Sequence, residues 1–250
     1  MRTGVLRPAA LAAALLMTGC AANRIVQPPI GSTMNATGFL TKSVQIEGET
    51  YVYSVYVPLG YDPARAWPLI LFLHGVGERG RDGLLQTDVG IAHAIRKYPD
   101  RFPCIVVIPQ CPETCWWNKA FALVDATLAR TREAYNVDAD RLYLTGLSMG
   151  GFGTWAYAGA HPDLFAALVP ICGGGKPEDA ARLAHLPIWA FHGDADSTVS
   201  PKMSRRMVEA VRAAGGDARY TEYPGVGHNS WDAAYGDPEL LNWLLEQRRR

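Results

Sequence analysis

The segment that most constrains the fold is Gly146–Gly151 (GLSMGG), which directly follows the apolar run Leu142–Thr145. It predicts a strand, a sharp turn that carries Ser148, and then a helix. A side chain at Gly146 or Gly150 would collide with the neighbouring strand or helix, so the turn needs glycine at both positions. The serine oxygen would then project over a helix N-terminus, which favours negative charge. The pattern is typical of a nucleophile elbow. A glycine-rich phosphate loop is the alternative, but no lysine follows the glycines.

A serine nucleophile needs a base, and His228 is the predicted one. It lies in a glycine-punctuated loop (PGVGHNS) that follows the last predicted strand. We expect His185 at the opposite end of the sheet, because it precedes a strand. His192 ends that same strand, and we expect it to shape the strand's exit.

The predicted acid is Asp196, with Asp194 as the alternative. Both lie in the turn HGDAD, directly after an apolar strand. A solvated turn that caps the next helix is the other interpretation of the two aspartates. With Asp196 the chain order is Ser148, Asp196, His228, which is the order of the α/β-hydrolase architecture and not that of chymotrypsin or subtilisin.

The loop after the third predicted strand is expected to supply one of the two N–H donors of an oxyanion hole. The run Leu69–Leu73 is continuously apolar, as expected of a parallel strand buried on both faces, and it breaks at HGVGERG. In this architecture one oxyanion donor is the backbone N–H of the residue after the nucleophile, here Met149. The other is a backbone N–H of this loop, here Val76. We expect His74 to support the loop from below, because His228 already fills the position of the base.

Strands alternate with helices along the chain, which predicts a mostly parallel, eight-stranded α/β sheet with helices on both faces, the α/β-hydrolase fold. The predicted strands lie at Val44–Ile46, Tyr51–Val57, Leu69–Leu73, Ile105–Ile108, Leu142–Thr145, Leu168–Ile171, Ile188–Phe191 and Ala218–Tyr223. The predicted helices lie at Gly90–Lys97, Phe121–Tyr135, Phe152–Ala160, Pro201–Ala214 and Pro238–Gln247.

The first residues predict a targeting segment. Arg2 and Arg7 precede a short apolar stretch that ends in LMTGC, which resembles a bacterial lipobox with Cys20 as the lipidated residue. This predicts a lipoprotein signal at 1–19, a tether at 20–39 and the hydrolase domain at 40–250. We expect an exported cell-envelope protein, anchored in the outer membrane and facing the periplasm or the surface; an ordinary secretory signal is the alternative.

Charge balance and cysteine spacing limit which ligands and disulfides the chain is expected to have. Lys+Arg and Asp+Glu are both 24, so no basic field favours nucleic acid. An exported chain permits disulfides among Cys104, Cys111, Cys115 and Cys172. Cys111–Cys115 is the favoured pair, and Cys172 is a competing partner. No Cys/His spacing resembles a zinc site, and no metal or organic cofactor is predicted.

Several segments together resemble a known family. These are HGVGERG at 74–80, IPQCP with the following tryptophans, GLSMGG, HPDLFAALVPICGG and HGDAD. They resemble dienelactone-hydrolase-like and prolyl-oligopeptidase-like esterases, within these the predicted peptidases and carboxylesterases of the feruloyl-esterase and polyhydroxybutyrate-depolymerase type. The resemblance covers roughly residues 40 to 247, and it carries nucleophile, acid and base to Ser148, Asp196 and His228. Dienelactone hydrolases proper use Cys as the nucleophile. Because this chain has Ser148 instead, we do not expect it to hydrolyse dienelactones.

The resemblance implies a serine hydrolase of small-molecule or polymer-borne carboxylic esters. A peptidase or thioesterase of the same fold is one alternative, and a non-catalytic envelope lipoprotein is another. Trp116 and Trp117 follow the fourth strand, on the edge where ligands bind in parallel sheets. Either one Trp lines the acyl or aryl pocket, or both pack under the loop.

Overall fold

The structure is a computed structural model that describes Met1 and residues 36–249. Residues 2–19 of the predicted signal segment, Cys20 and the rest of the predicted tether up to residue 35 lie outside the described residues. The strands are β1 (Gly38–Ile46), β2 (Glu49–Val57), β3 (Trp67–Leu73), β4 (Ile105–Pro109), β5 (Val137–Leu147), β6 (Ala167–Ile171), β7 (Ile188–Gly193) and β8 (Ala218–Tyr223). The helices are α1 (Ile91–Lys97), α2 (Phe121–Ala134), α3 (Met149–Ala160), α4 (Ala180–Leu183), α5 (Lys202–Ala213), α6 (Trp231–Gly236) and α7 (Pro238–Glu246).

The strands form one eight-stranded sheet in the order β1-β2-β4-β3-β5-β6-β7-β8. β1 and β2 pair antiparallel, and β2 joins β4 antiparallel. From β4 to β8 all neighbours are parallel. The carboxyl ends of β5, β7 and β8 therefore meet at the same edge of the sheet, which is the edge that presents the candidate site.

Two apolar layers cover the sheet, because successive side chains of a strand point to opposite faces. In β3, Leu69, Leu71 and Leu73 face a core that includes side chains of α2 to α5. Ile70 and Phe72 face the second core, with α1, α6 and α7. The predicted α/β-hydrolase sheet with helices on both faces is confirmed.

Three elements begin earlier in the structure than the pattern of apolar residues predicts. β5 begins at Val137, because Trp67 of β3 pairs with it, although three of the next four residues are charged. α3 begins at Met149, directly after Ser148, where two glycines had masked the helical pattern. β1 begins at Gly38, two residues before the predicted start of the domain. The proposed division into signal, tether and hydrolase domain stays a prediction.

The four cysteines Cys104, Cys111, Cys115 and Cys172 are free thiols, so the favoured Cys111–Cys115 disulfide is not formed. The Cys115 thiol instead donates to the Trp116 carbonyl at 3.4 Å. Burial, with a smaller effect of Cys115, raises the pKa of Cys111 to about 12, so it is a protonated thiol at neutral pH. Within the part of the chain that the structure describes, no helix has the length and hydrophobicity of a membrane span.

Candidate active site

Ser148 occupies a strained turn between β5 and α3. Its φ is 52°, in the left-handed region that residues other than glycine rarely adopt. A Cβ at Gly150 would lie 1.8 Å from the Leu73 carbonyl oxygen, and one at Gly146 would lie 2.4 Å from the Gly150 oxygen. The Ser148 N–H donates to the Ile171 carbonyl at 3.0 Å, which ties the turn to β6. Glycine at both positions thus lets the backbone close tightly enough to hold the serine in this conformation.

Ser148, His228 and Asp196 form a hydrogen-bonded chain. His228 Nε2 lies 2.9 Å from Ser148 Oγ, and His228 Nδ1 lies 2.7 Å from Asp196 Oδ2. A carboxylate can only accept, so Nδ1 carries a proton and donates a hydrogen bond to Asp196. In the neutral imidazole, Nε2 is then unprotonated and can accept the serine proton. The structure brings together the three residues that the sequence assigned to nucleophile, acid and base.

The Asp196 carboxylate is buried and accepts hydrogen bonds on both oxygens. Oδ1 accepts from the N–H groups of Thr198 at 2.8 Å and Val199 at 2.9 Å. Burial by itself would raise the pKa of Asp196, but the bonds from His228 and from these two N–H groups outweigh it. Its pKa therefore lies below the ordinary value, and the carboxylate is ionised at neutral pH. The alternative acid, Asp194, instead accepts from the Gly225 N–H at 2.6 Å.

The loops of the acid and the base pack backbone to backbone. The Ala195 N–H donates to the Val226 carbonyl at 3.0 Å. A Cβ at Gly193 would lie 2.1 Å from the Val226 oxygen, so only glycine allows this approach. The Trp231 ring meets the His228 ring edge-on, with centroids 5.4 Å apart. These contacts hold the imidazole between the carboxylate and the serine.

The two predicted oxyanion donors both begin helical turns. Met149 is the first residue of α3, and Val76 is the first residue of a 3₁₀ turn, Val76–Glu78. The first N–H groups of a helical turn have no partner within that turn, so they remain available to a ligand. The 3₁₀ turn lies beside the nucleophile, since a Cβ at Gly75 would lie 3.7 Å from Ser148 Cβ. Their roles as oxyanion donors stay a prediction.

His74 supports the loop that carries Val76 from within the core. Its Nε2 accepts the Cys111 N–H at 2.9 Å, and its Nδ1 lies 2.6 Å from the Gly75 carbonyl, to which it therefore donates. Its own carbonyl accepts from the Trp117 indole N–H at 2.9 Å. Burial lowers the pKa of His74 to about 4, so the ring is neutral near pH 7. These bonds fix the loop that carries Val76.

A cavity of about 770 Å³ opens beside Met149, with aromatic and lysine side chains in its wall. The wall includes Trp116, Trp117, Phe121, Phe152, Lys119 and Lys176. Trp116 is half exposed, whereas Trp117 is buried and anchored on His74. The structure therefore separates the two tryptophans: Trp116 is free to contact a ligand, and Trp117 packs under the loop.

Sequence reasoning missed two contacts of the site. Cys172 has a φ of 40°, and its Sγ lies 3.3 Å from the Ser148 N–H. Its Sγ and one ligand atom each of Asp196 and His228 lie within 4.8 Å of one another, the one such group among the described residues that could hold a metal ion. His192, expected to shape a strand exit, contacts Asp196. The spacing of His192 and Asp196 in HGDAD carried that signal, whereas nothing in the sequence marks Cys172.

Comparison with known proteins gives the family. Residues 96–233 match the dienelactone hydrolase family. A putative carboxymethylenebutenolidase of Salmonella typhimurium is 32% identical over 129 residues, which are 44% of this chain and 47% of that protein. A probable feruloyl esterase C of Aspergillus terreus is 28% identical over 139 residues, 54% of this chain and 50% of that protein. The chain thus spans about half the length of these relatives.

Solved structures agree with the fold. The crystal structure of a thermostable esterase superposes with a TM-score of 0.77 at 37% identity, covering 84% of this chain and 63% of that one. The family match spans more than half of the chain, and it confirms the resemblance drawn from the motifs. The chain belongs to the dienelactone hydrolase family.

Proposed function

We propose that the protein is a serine hydrolase of carboxylic esters that acts through an acyl-enzyme. The observation that carries this proposal is the hydrogen-bonded chain from Ser148 through His228 to Asp196, beside two helical-turn N–H groups. Relatives named as a carboxymethylenebutenolidase and a feruloyl esterase support ester chemistry.

In the proposed mechanism, Ser148 Oγ attacks the ester carbonyl while His228 Nε2 takes its proton. Asp196 keeps the proton on Nδ1 and stabilises the imidazolium that forms. The N–H groups of Met149 and Val76 bind the tetrahedral oxyanion, and each such donor contributes about 3 kcal/mol in comparable sites. His228 then protonates the leaving alcohol. Water next attacks the acyl carbonyl while His228 Nε2 takes a proton from it, and His228 returns that proton to Ser148 Oγ as the carboxylic acid leaves.

The cavity beside Met149 favours ester substrates that carry an aromatic or otherwise apolar group next to the scissile bond. Its aromatic wall offers Trp116, Phe121 and Phe152 as contacts, and its opening to solvent suits small-molecule or polymer-borne esters. A thioester or a peptide would use the same nucleophile. Both enter the test below as competing substrates.

We also propose that the protein is a cell-envelope lipoprotein anchored through Cys20. The support is the N-terminal sequence, with its charged start, short apolar stretch and terminal LMTGC. Cells fed a clickable fatty acid should label the wild type and not Cys20→Ala, and the label should fractionate with the outer membrane. Equal labelling of the two would reject the anchor.

The test of the enzymatic proposal is hydrolysis by the purified full chain. Substrates are p-nitrophenyl esters of graded chain length, methyl ferulate, an acyl thioester and a p-nitroanilide peptide. We expect ester turnover that Ser148→Ala lowers by about 10³-fold or more. No turnover of any substrate, together with no labelling of Ser148 by a fluorophosphonate, would favour the non-catalytic lipoprotein.

A matched pair of variants separates the two candidate acids. Asp196→Asn keeps the size of the side chain but favours the wrong tautomer of His228, so we expect kcat to fall by about 10³- to 10⁴-fold. Asp194→Asn leaves the contact with His228 intact and should retain kcat within a factor of about ten. The reverse ranking would assign the role of acid to Asp194.

A further inference from the structure

We propose that His192 is a positioning residue that holds the Asp196 carboxylate in the orientation required by His228. This inference rests on the proposed ester hydrolysis and adds a residue that acts on the acid, not on the substrate. His192 is fully buried at the end of β7, and it lies four residues before Asp196.

The partners of His192 Nε2 fix its protonation. Nε2 lies 3.1 Å from Asp196 Oδ2 and 2.9 Å from the Val199 carbonyl oxygen. Both oxygens can only accept a hydrogen bond, since the carboxylate is ionised. Nε2 must therefore carry a proton, which it shares between the acid and the backbone of the same turn.

The other ring nitrogen is held by α5. His192 Nδ1 lies 2.7 Å from Ser204 Oγ. Burial lowers the pKa of His192, against smaller raising effects of Val199 and Asp196, so the ring is neutral at neutral pH. With its proton on Nε2, Nδ1 is an acceptor, and the Ser204 hydroxyl donates to it.

This network connects the acid to the body of the elbow. Ser204 Oγ also lies 2.8 Å from the carbonyl oxygen of Gly173, a residue that follows β6, so the one hydroxyl proton of Ser204 is shared between this oxygen and His192 Nδ1. A Cβ at Gly173 would lie 2.4 Å from the Gly151 carbonyl carbon in the first turn of α3. The side chains of His192 and Ser204 thus place the acid turn relative to the helix that carries the nucleophile at its start.

The Asp196 carboxylate has four donors, and His192 supplies the one that shares Oδ2 with His228. The two backbone donors hold Oδ1 alone. Without His192, the position of Oδ2 depends on the hydrogen bond to a half-buried imidazole that must itself move protons. We therefore expect the loss of His192 to loosen the Asp196–His228 hydrogen bond.

The experiment compares His192→Leu, His192→Gln and Ser204→Ala with the wild type. His185→Gln is the matched control, because that histidine is exposed and its Nε2 lies 3.1 Å from the Pro162 carbonyl instead. Readouts are kcat and KM for a p-nitrophenyl ester, and the deshielded proton resonance of the His228 Nδ1–H bonded to Asp196. Circular dichroism and the thermal midpoint report folding.

We expect His192→Leu to lower kcat by about 10- to 100-fold with little change in KM, as loss of a buried hydrogen bond to a charged group predicts. The deshielded proton should broaden or shift upfield. His192→Gln retains a side-chain N–H near the position of Nε2 and should restore most of both readouts. Ser204→Ala should show the same changes at smaller amplitude, and His185→Gln should match the wild type.

A folded His192→Leu protein with the kcat and the deshielded proton of the wild type would overturn the proposal, and so would a lower thermal midpoint alone. If His192→Leu fails to fold, Ser204→Ala decides: unchanged kcat and an unchanged resonance would overturn the proposal. The resonance does not depend on turnover. A wild type without esterase activity would therefore reject the proposed function, while the resonance would still test the contact.

Discussion

Acid should destabilise this protein through one buried histidine, His74, beside the loop that carries Val76. His74 is fully buried, and its two ring nitrogens are bonded to the Gly75 carbonyl and the Cys111 N–H. The second bond requires an unprotonated Nε2, so the folded protein holds the ring neutral. Protonation would break that bond and leave a charge in the core.

The magnitude follows from the two pKa values. Burial lowers the pKa of His74 from 6.5 to about 4 in the folded protein. The unfolded chain therefore binds the proton at a higher pH than the folded protein does. The contribution of neutral His74 to the free energy of unfolding is fully present above about pH 6.5 and decreases as the pH falls toward 4. Linkage gives a loss of about 2 kcal/mol between pH 7 and pH 5, and about 3 kcal/mol by pH 4. That is a large share of the ~5–15 kcal/mol that stabilises a typical domain.

The assay is urea unfolding of the wild type, His74→Gln and His185→Gln at pH 7 and pH 5. His74→Gln loses stability at both values of pH, so the informative quantity is the difference between them. We expect this difference to be about 2 kcal/mol smaller in His74→Gln than in the wild type. His185→Gln, which alters an exposed histidine, should keep the wild-type difference. Equal differences in the wild type and His74→Gln would mean that protonation of His74 does not destabilise the folded protein.

Two further predictions concern the elbow and the cavity. Gly150→Ala places a Cβ 1.8 Å from the backbone oxygen of Leu73, so we expect no soluble folded protein, whereas Gly60→Ala, with nothing within 4 Å, should fold normally in circular dichroism. Trp117→Ala should cost about 3–5 kcal/mol in urea unfolding because that ring is buried. Trp116→Ala should lower the free energy of unfolding by less than about 1 kcal/mol. It should raise KM for aryl esters more than KM for alkyl esters. An unchanged aryl preference would remove Trp116 from the pocket.

Much of the fold could be predicted because parallel strands buried on both faces are written as short apolar runs. β3, β4, β6 and β7 consist of such runs, and the sequence located each of them. The start of β5 was not predicted because three of the five residues in VDADR are charged. This segment is a strand because it pairs with β3. Such pairing is a tertiary effect that local patterns do not carry.

The candidate site divides in the same way. Ser148, His228 and the HGDAD turn were visible because glycine-rich turns after strands mark positions where the backbone must approach closely. The sequence predicts Asp196 as the acid with Asp194 as the alternative, and in the structure Asp196 bonds to His228, whereas Asp194 accepts from the Gly225 N–H. Ser204 could not be predicted at all. It is one polar residue on an amphipathic helix, and only packing places it on His192.

The most direct test of the account is the site of reaction with a fluorophosphonate. The purified full chain is incubated with the probe, digested, and mapped by mass spectrometry, with Ser148→Ala and His228→Ala in parallel. We expect one adduct on Ser148 in the wild type, no adduct in Ser148→Ala, and strongly slowed labelling in His228→Ala. An unlabelled wild type, or labelling of Ser148 at the same rate without His228, would contradict the claim that His228 activates this serine.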